Sequence, residues 1–151
     1  MRLDVRVATI TGNAEMIAED VIDTIGDKAE CEMKLISDDT FDELADCQFV
    51  LFVSSTYGVG DVPDNGMDVY DRLVAEKPDL SHLHYGVIGL GDSTYADTYA
   101  FGGRKWDTAL EECGAQRVGE ILILDAASGE DPTDLAVEWV EPWIQLLLQD
   151  Q

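Results

Sequence analysis

Phe49-Val50-Leu51-Phe52-Val53 (FVLFV) is an unbroken apolar run that ends abruptly at Ser54-Ser55. A strand with one wet face would alternate, and a surface helix would show polar residues within every turn. An all-apolar run of this length fits a strand covered on both faces, as in the middle of a parallel sheet flanked by helices. On its N-terminal side, Leu3 to Ala8 (LDVRVA) reads as another buried strand. The segment from Ala14 to Ile25 then places Met16, Ile17, Val21, Ile22 and Ile25 at helical spacing. Cys31 to Ile36 (CEMKLI) alternates as a strand, and Phe41 to Ala45 suits a short helical turn. On the C-terminal side, a polar loop over 54–65 leads to a helix from about Gly66 to Ala75. A strand follows from Tyr85 to Leu90, then a helix holding Trp106 to Cys113 and closed by Gly114. Val118 to Leu124 (VGEILIL) predicts a fifth strand, and Thr133 to Leu148 a last helix with Pro132 near its first turn. Five strands alternating with helices, without repeats or linkers, predict one doubly wound α/β domain over residues 1–151.

Composition limits what such a domain can meet. The 151 residues carry 32 acids against 9 bases, a formal net charge of −23. Nucleic acid and anionic membrane both demand a cationic surface, so neither is an expected partner. The acids are spread through periodic segments and 46% of the residues are hydrophobic, which excludes an acidic disordered tail. Cys31, Cys47 and Cys113 are odd in number and widely spaced, with no CxxC pair. That spacing points to a reducing compartment rather than to a disulfide framework or a zinc site. The sequence shows neither a signal-peptide core nor a membrane-length apolar run, so the cytoplasm is the expected location.

In a doubly wound sheet ligands bind beyond the carboxyl ends of the strands, at the point where strand order reverses. The loops to read are therefore those after the first, third and fourth strands: TITGNA (9–14), SSTYGVGDVPDN (54–65) and GLGDSTYADTYAFGG (89–103). The first opens a helix, whose N-terminal amides and dipole favour an anion. Thr9, Thr11 and Asn13 add polar side chains, and Gly12 permits close backbone approach. A phosphate can be held there without a cation, although Thr or Asn before a helix is also an ordinary cap. Neither the P-loop pattern GxxxxGK[ST] nor the dinucleotide fingerprint GxGxxG is present. The other two loops each carry a tyrosine, Tyr57 and Tyr95, suited to stacking a planar heteroaromatic ring.

Together the three loops resemble the FMN-binding loops of the flavodoxin family. The resemblance is to short-chain members of the MioC type and to the FMN domains of P450 reductase and sulfite reductase, and it spans essentially the whole chain. It implies a five-stranded parallel sheet of order 2-1-3-4-5 with helices on both faces, and FMN as cofactor. It implies that Thr9, Ile10, Thr11, Gly12, Asn13 and Ala14 wrap the phosphate. Ser55, Thr56, Tyr57 and Gly58 would form the second wall, with Tyr57 on the inner face of the flavin and the Gly58 peptide near its N5. Leu90, Gly91 and Asp92 would meet the pyrimidine edge, Ser93, Thr94 and Tyr95 would form the third wall with Tyr95 on the outer face, and Tyr99 would be peripheral. Ala14 departs from a threonine common in the family, which removes one hydroxyl from the phosphate site. The implied role is a monomeric cytoplasmic electron carrier, fed by an NAD(P)H-dependent flavoprotein reductase and serving an acceptor redox enzyme. Both would dock through basic patches against Asp61, Asp64, Asp68, Asp92 and Asp97. An FMN-dependent NAD(P)H:quinone oxidoreductase is the enzymatic alternative, and it would need extra segments for a substrate pocket. No FAD- or NADPH-binding domain is expected within the 151 residues. A response-regulator receiver domain shares the fold class but needs acids after strand one, an aspartate ending strand three and a lysine ending strand five. Those places hold Thr9-Ile10, Ser54-Ser55 and Leu124-Asp125. His82-Leu83-His84 reads as a solvated turn rather than a metal site, and Trp139 and Trp143 as core.

Overall fold

The structure, a computed structural model, describes residues 2–9, 12–55, 64–91 and 101–149. In chain order the elements are β1 (Arg2–Ala8), α1 (Asn13–Ile25), β2 (Glu30–Leu35), α2 (Asp38–Glu43), β3 (Phe49–Ser54), α3 (Asp64–Glu76), β4 (His84–Gly91), α4 (Phe101–Glu112), β5 (Gln116–Arg117), β6 (Leu122–Asp125) and α5 (Pro132–Gln149). All strand pairings are parallel and run β2-β1-β3-β4-β5, with β6 continuing beside β4 on the same edge as β5. This is the expected 2-1-3-4-5 order.

The FVLFV run behaves as its composition demands. Phe49, Leu51 and Val53 join a core with Ile17 and Val21 of α1 and Trp143 and Ile144 of α5. Val50 and Phe52 point the other way, into a core with Leu73 of α3 and Trp106 and Leu110 of α4. Period-2 alternation thus feeds two cores from one strand, and every residue of the run is buried. Trp143 is core as expected; Trp139 is partly buried and stacks on it at 5.3 Å.

Two segments differ from expectation. The helical turn placed at Phe41 starts earlier, because Ser37 and Thr40 form a reciprocal capping box that nucleates α2 at Asp38. A short 3-10 turn, Leu44–Asp46, then carries the chain toward β3. The fifth strand is not continuous over Val118 to Leu124. From Tyr85 to Ile88 is three steps along β4, whereas their partners Arg117 and Leu122 are five apart, so two extra residues bulge out. The bulge is held by the Trp143 indole N–H, which donates to the Val118 carbonyl at 2.9 Å, and by Arg117 Nε, which donates to the Gly119 carbonyl.

β1 also buries a charge. The Arg6 guanidinium is 1% exposed and pairs with Asp4 at 3.2 Å and Glu43 at 3.0 Å. Lys34 donates to the same Glu43 at 2.9 Å, and this bond, ahead of the charge of Arg6, holds the Glu43 carboxyl below its ordinary range. A carboxyl depressed by folding adds stability above its unfolded pKa, about 4.3 for glutamate. That stability is lost as pH falls through the folded value. Glu43→Gln is therefore expected to lower stability at neutral pH and to flatten its fall between about pH 5 and 3, as read from urea midpoints across that range.

Candidate functional site

The carboxyl ends of β1, β3, β4 and β6 converge, and the described parts of the three loops start there. Ala8, Ser54 and Gly89 lie in one row across β1, β3 and β4. The Ser55 N–H donates to the Ala8 carbonyl at 2.9 Å, tying the start of the second loop to the start of the first.

At the first loop, Thr9 Oγ1 accepts from the Gly12 N–H at 3.0 Å. Gly12 is the N-cap of α1 and has φ +86°, a left-handed conformation that glycine adopts without strain. Among the described residues no side chain caps α1. Of the candidate caps, Thr9 spends its hydroxyl on the turn, the N-cap position itself is a glycine, and Thr11 lies outside the described residues. A helix start leaves its first-turn amides without partners inside the helix, and at α1 these donors, with the helix dipole behind them, suit an anion. A Cβ built on Gly12 would meet nothing within 4 Å. Asn13 is exposed beside those amides, while Ala14 is wholly buried. At Ala14 a methyl faces the core, and the threonine hydroxyl common in the resembled family is absent.

A cavity of about 320 Å³ opens at this end of the sheet. Three expected site residues line it together: Asn13 from α1 and Leu90-Gly91 from the end of β4. Thr9, Gly12, Ala14 and Ser55 are not among its lining residues. Ile10, Thr11, Thr56, Tyr57, Gly58, Asp92, Ser93, Thr94, Tyr95 and Tyr99 lie outside the described residues, as do Asp61 and Asp97. Sequence reasoning missed the far wall. Met16 and Ile17 of α1, Leu124 and Asp125 of β6, and Ala126, Glu130 and Pro132 complete the lining. The rule that ligands gather at strand carboxyl ends covers the loop after the fifth strand as well, and applying it there would have found them.

Charge in the cavity agrees with the first loop. Among its described lining residues there are two carboxylates, Asp125 and Glu130, and neither lysine nor arginine. Asp125 Oδ1 accepts from the Ala127 N–H, so this loop is braced by its own aspartate. A larger cavity of about 390 Å³ opens at the amino end of the sheet, between Arg2, Asp4, Lys34, Glu43 and Phe49. Its charged groups already pair with one another, and it lies at the wrong end of the strands for a ligand. Among the described residues no group of His, Cys, Asp and Glu could hold a metal ion. His82 stands in a turn, as expected, while His84 opens β4 and packs against Phe49. No helix among the described residues is long and apolar enough to cross a membrane. Cys47 is buried, and loss of hydration pushes its thiol up to about 12, so it is not a nucleophile at neutral pH.

A parallel sheet of order 2-1-3-4-5 with a cavity at its carboxyl edge has the flavodoxin-like fold. The profile of the flavodoxin family matches residues 5–139, and the chain belongs to that family. It is 36% identical to flavodoxin YqcA of Pectobacterium carotovorum over 97% of both chains. It is 35% identical to protein MioC of Escherichia coli O157:H7, covering 90% of this chain and 91% of that protein. The flavoprotein alpha-component of a Vibrio cholerae sulfite reductase matches at 34% identity over 97% of this chain, which corresponds to 23% of that longer protein. Among solved structures, a cysteine-to-alanine mutant of a Pseudomonas aeruginosa flavodoxin superposes with a TM-score of 0.83 at 31% identity, covering 97% of this chain and 99% of that one. Flavodoxins are FMN-binding electron carriers, so the cofactor and role expected from the three loops are those of the family.

Proposed function

We propose that residues 1–151 act as one FMN-binding domain, a monomeric cytoplasmic carrier. It takes electrons from an NAD(P)H-dependent flavoprotein reductase and delivers them to an acceptor redox enzyme. The observation that carries this reading is the N-terminus of α1, which no described side chain caps, beside a cavity shared by Asn13, Leu90 and Gly91. Those residues fit a flavin phosphate bound by dipoles and polar groups rather than by a cation. Thr9, Ile10, Thr11, Gly12, Asn13 and Ala14 would hold the phosphate, and Leu90, Gly91 and Asp92 the pyrimidine edge. Ser55, Thr56, Tyr57 and Gly58 would cover one face of the ring, and Ser93, Thr94 and Tyr95, with Tyr99 at the rim, the other. Bound FMN supplies the redox chemistry, and the chain positions it and excludes water.

The partners follow from charge. A surface of formal net charge −23 favours encounters with basic patches, steered over distances that salt shortens. Asp68, one of the acids expected beside the flavin, is exposed on α3. Screening acts over about 8 Å at physiological ionic strength, so transfer from a reductase should slow steeply as salt rises. The experiment mixes purified holoprotein, NADPH and a quinone, with and without a flavoprotein reductase. Electron flow that waits for the reductase and falls with salt is the expected result. Rapid, saturable NADPH oxidation by the holoprotein alone would replace the carrier with a quinone reductase.

A further inference from the structure

One buried hydroxyl ties the start of the second loop to the helix that follows the third. Ser54, the last residue of β3, is fully buried between Ala8 of β1 and Gly89 of β4. Its Oγ accepts from the Trp106 indole N–H at 3.0 Å and donates to the Ser55 carbonyl at 2.9 Å. The Ser55 N–H in turn donates to the Ala8 carbonyl at 2.9 Å. Ala8 leads into the first loop, Ser55 opens the second, and Trp106 stands on α4, the helix that follows the third.

Everything around Trp106 holds it in place. The ring is wholly buried, stacked on Phe52 at 5.1 Å and met edge-on by Tyr70 at 5.8 Å. Three residues before it, Gly103 packs so tightly on β4 that a Cβ there would lie 2.8 Å from the Gly89 Cα. The N-terminal half of α4 therefore has one position against the sheet, and the indole N–H fixes Ser54 from it. Both hydrogen-bonding capacities of the serine that matter here are in use, in a site without water access.

We infer that Ser54 and Trp106 are positioning residues for the cofactor: their hydrogen bond sets the spacing between the loop roots and thereby the fit of the flavin. The inference rests on the FMN reading above. Neither side chain is exposed, so both act through Ser55 and the start of α4 rather than by touching the ligand. Placement errors of about 1 Å at a supporting residue are enough to loosen a binding site. The sequence holds one trace of this device, a polar residue closing an otherwise apolar strand.

The test compares wild type, Ser54→Ala, Trp106→Phe and the double variant. Trp106→Phe keeps an aromatic ring on Phe52 and removes the donor; Ser54→Ala removes one oxygen. The readouts are FMN affinity by flavin fluorescence quenching, the midpoint potential of the bound flavin, and thermal melting of each apoprotein. Each single variant is expected to weaken FMN binding about three- to tenfold at a temperature where its apoprotein is fully folded, and to shift the potential. The double variant should bind no more weakly than the weaker single one, because both changes delete the same bond. Should Trp106→Phe not fold, Ser54→Ala carries the comparison with wild type alone. Melting temperatures that fall while affinity and potential stay at wild-type values would overturn the inference, as would losses that add in the double variant. Failure of the wild type itself to bind FMN would instead overturn the cofactor reading, and the inference with it.

Discussion

Gly12→Asp is expected to weaken FMN binding by at least roughly a hundredfold, while leaving the apoprotein folded. Two effects act together. Gly12 sits at φ +86°, where a side chain is strained, although open space surrounds the position. More importantly, the new carboxylate would stand at the mouth of α1, next to the proposed phosphate. Unit charges about 4 Å apart interact by about 4 kcal/mol near a protein surface, and no described cation in the cavity lining offsets the repulsion. Gly12→Ala separates the two effects, since it carries the strain without the charge. Its loss should be about tenfold or less. Equal losses for the two variants, measured by FMN titration, would remove the phosphate from this site.

The largest effect on stability is expected at Trp143. This residue is 2% exposed, fills the core between α5 and the sheet, and donates to the Val118 carbonyl at 2.9 Å. Trp143→Ala should cost about 3–5 kcal/mol and lower the melting temperature by about 10 °C or more. It also frees the carbonyl that anchors the β5–β6 bulge. Gly86 reports on the same packing, because a Cβ there would lie 2.6 Å from the Trp143 ring. Gly86→Ala alone should cost about 1–3 kcal/mol by overpacking. In the Trp143→Ala background the added methyl has room, and its cost should vanish. Additive costs in calorimetry would show that the ring does not occupy this space in solution.

Much of this architecture was legible in the residues. FVLFV could only be a strand buried on both faces, and alternation with helices around it left a doubly wound sheet as the solution. The three loops stand out as candidates because glycine, hydroxyl and aromatic residues cluster at the points where the sheet topology places a ligand, although most of the second and third lies outside the described residues. What escaped the sequence is tertiary. Val118 to Leu124 reads as one strand, and only an indole N–H from a helix 25 residues later reveals the bulge within it. The first loop, taken alone, reads more readily as a helix cap than as a phosphate site, and nothing local in it announces that the N-cap itself is the left-handed Gly12. The wall formed by Leu124, Asp125 and Pro132 was overlooked because the loop after the fifth strand carries no aromatic or glycine-rich signature. The Ser54–Trp106 bond spans 52 residues, and its one trace in the sequence is the serine that closes an apolar strand.

The central claim is that this chain binds FMN through its phosphate and without a cation. Its most direct test is a titration of the apoprotein with FMN and, separately, with riboflavin, followed by quenching of flavin fluorescence. The account predicts one FMN per chain and riboflavin binding weaker by about two orders of magnitude or more, the contribution of a dianion held at a helix N-terminus. Equal affinities for the two flavins, or no binding of either, would contradict it.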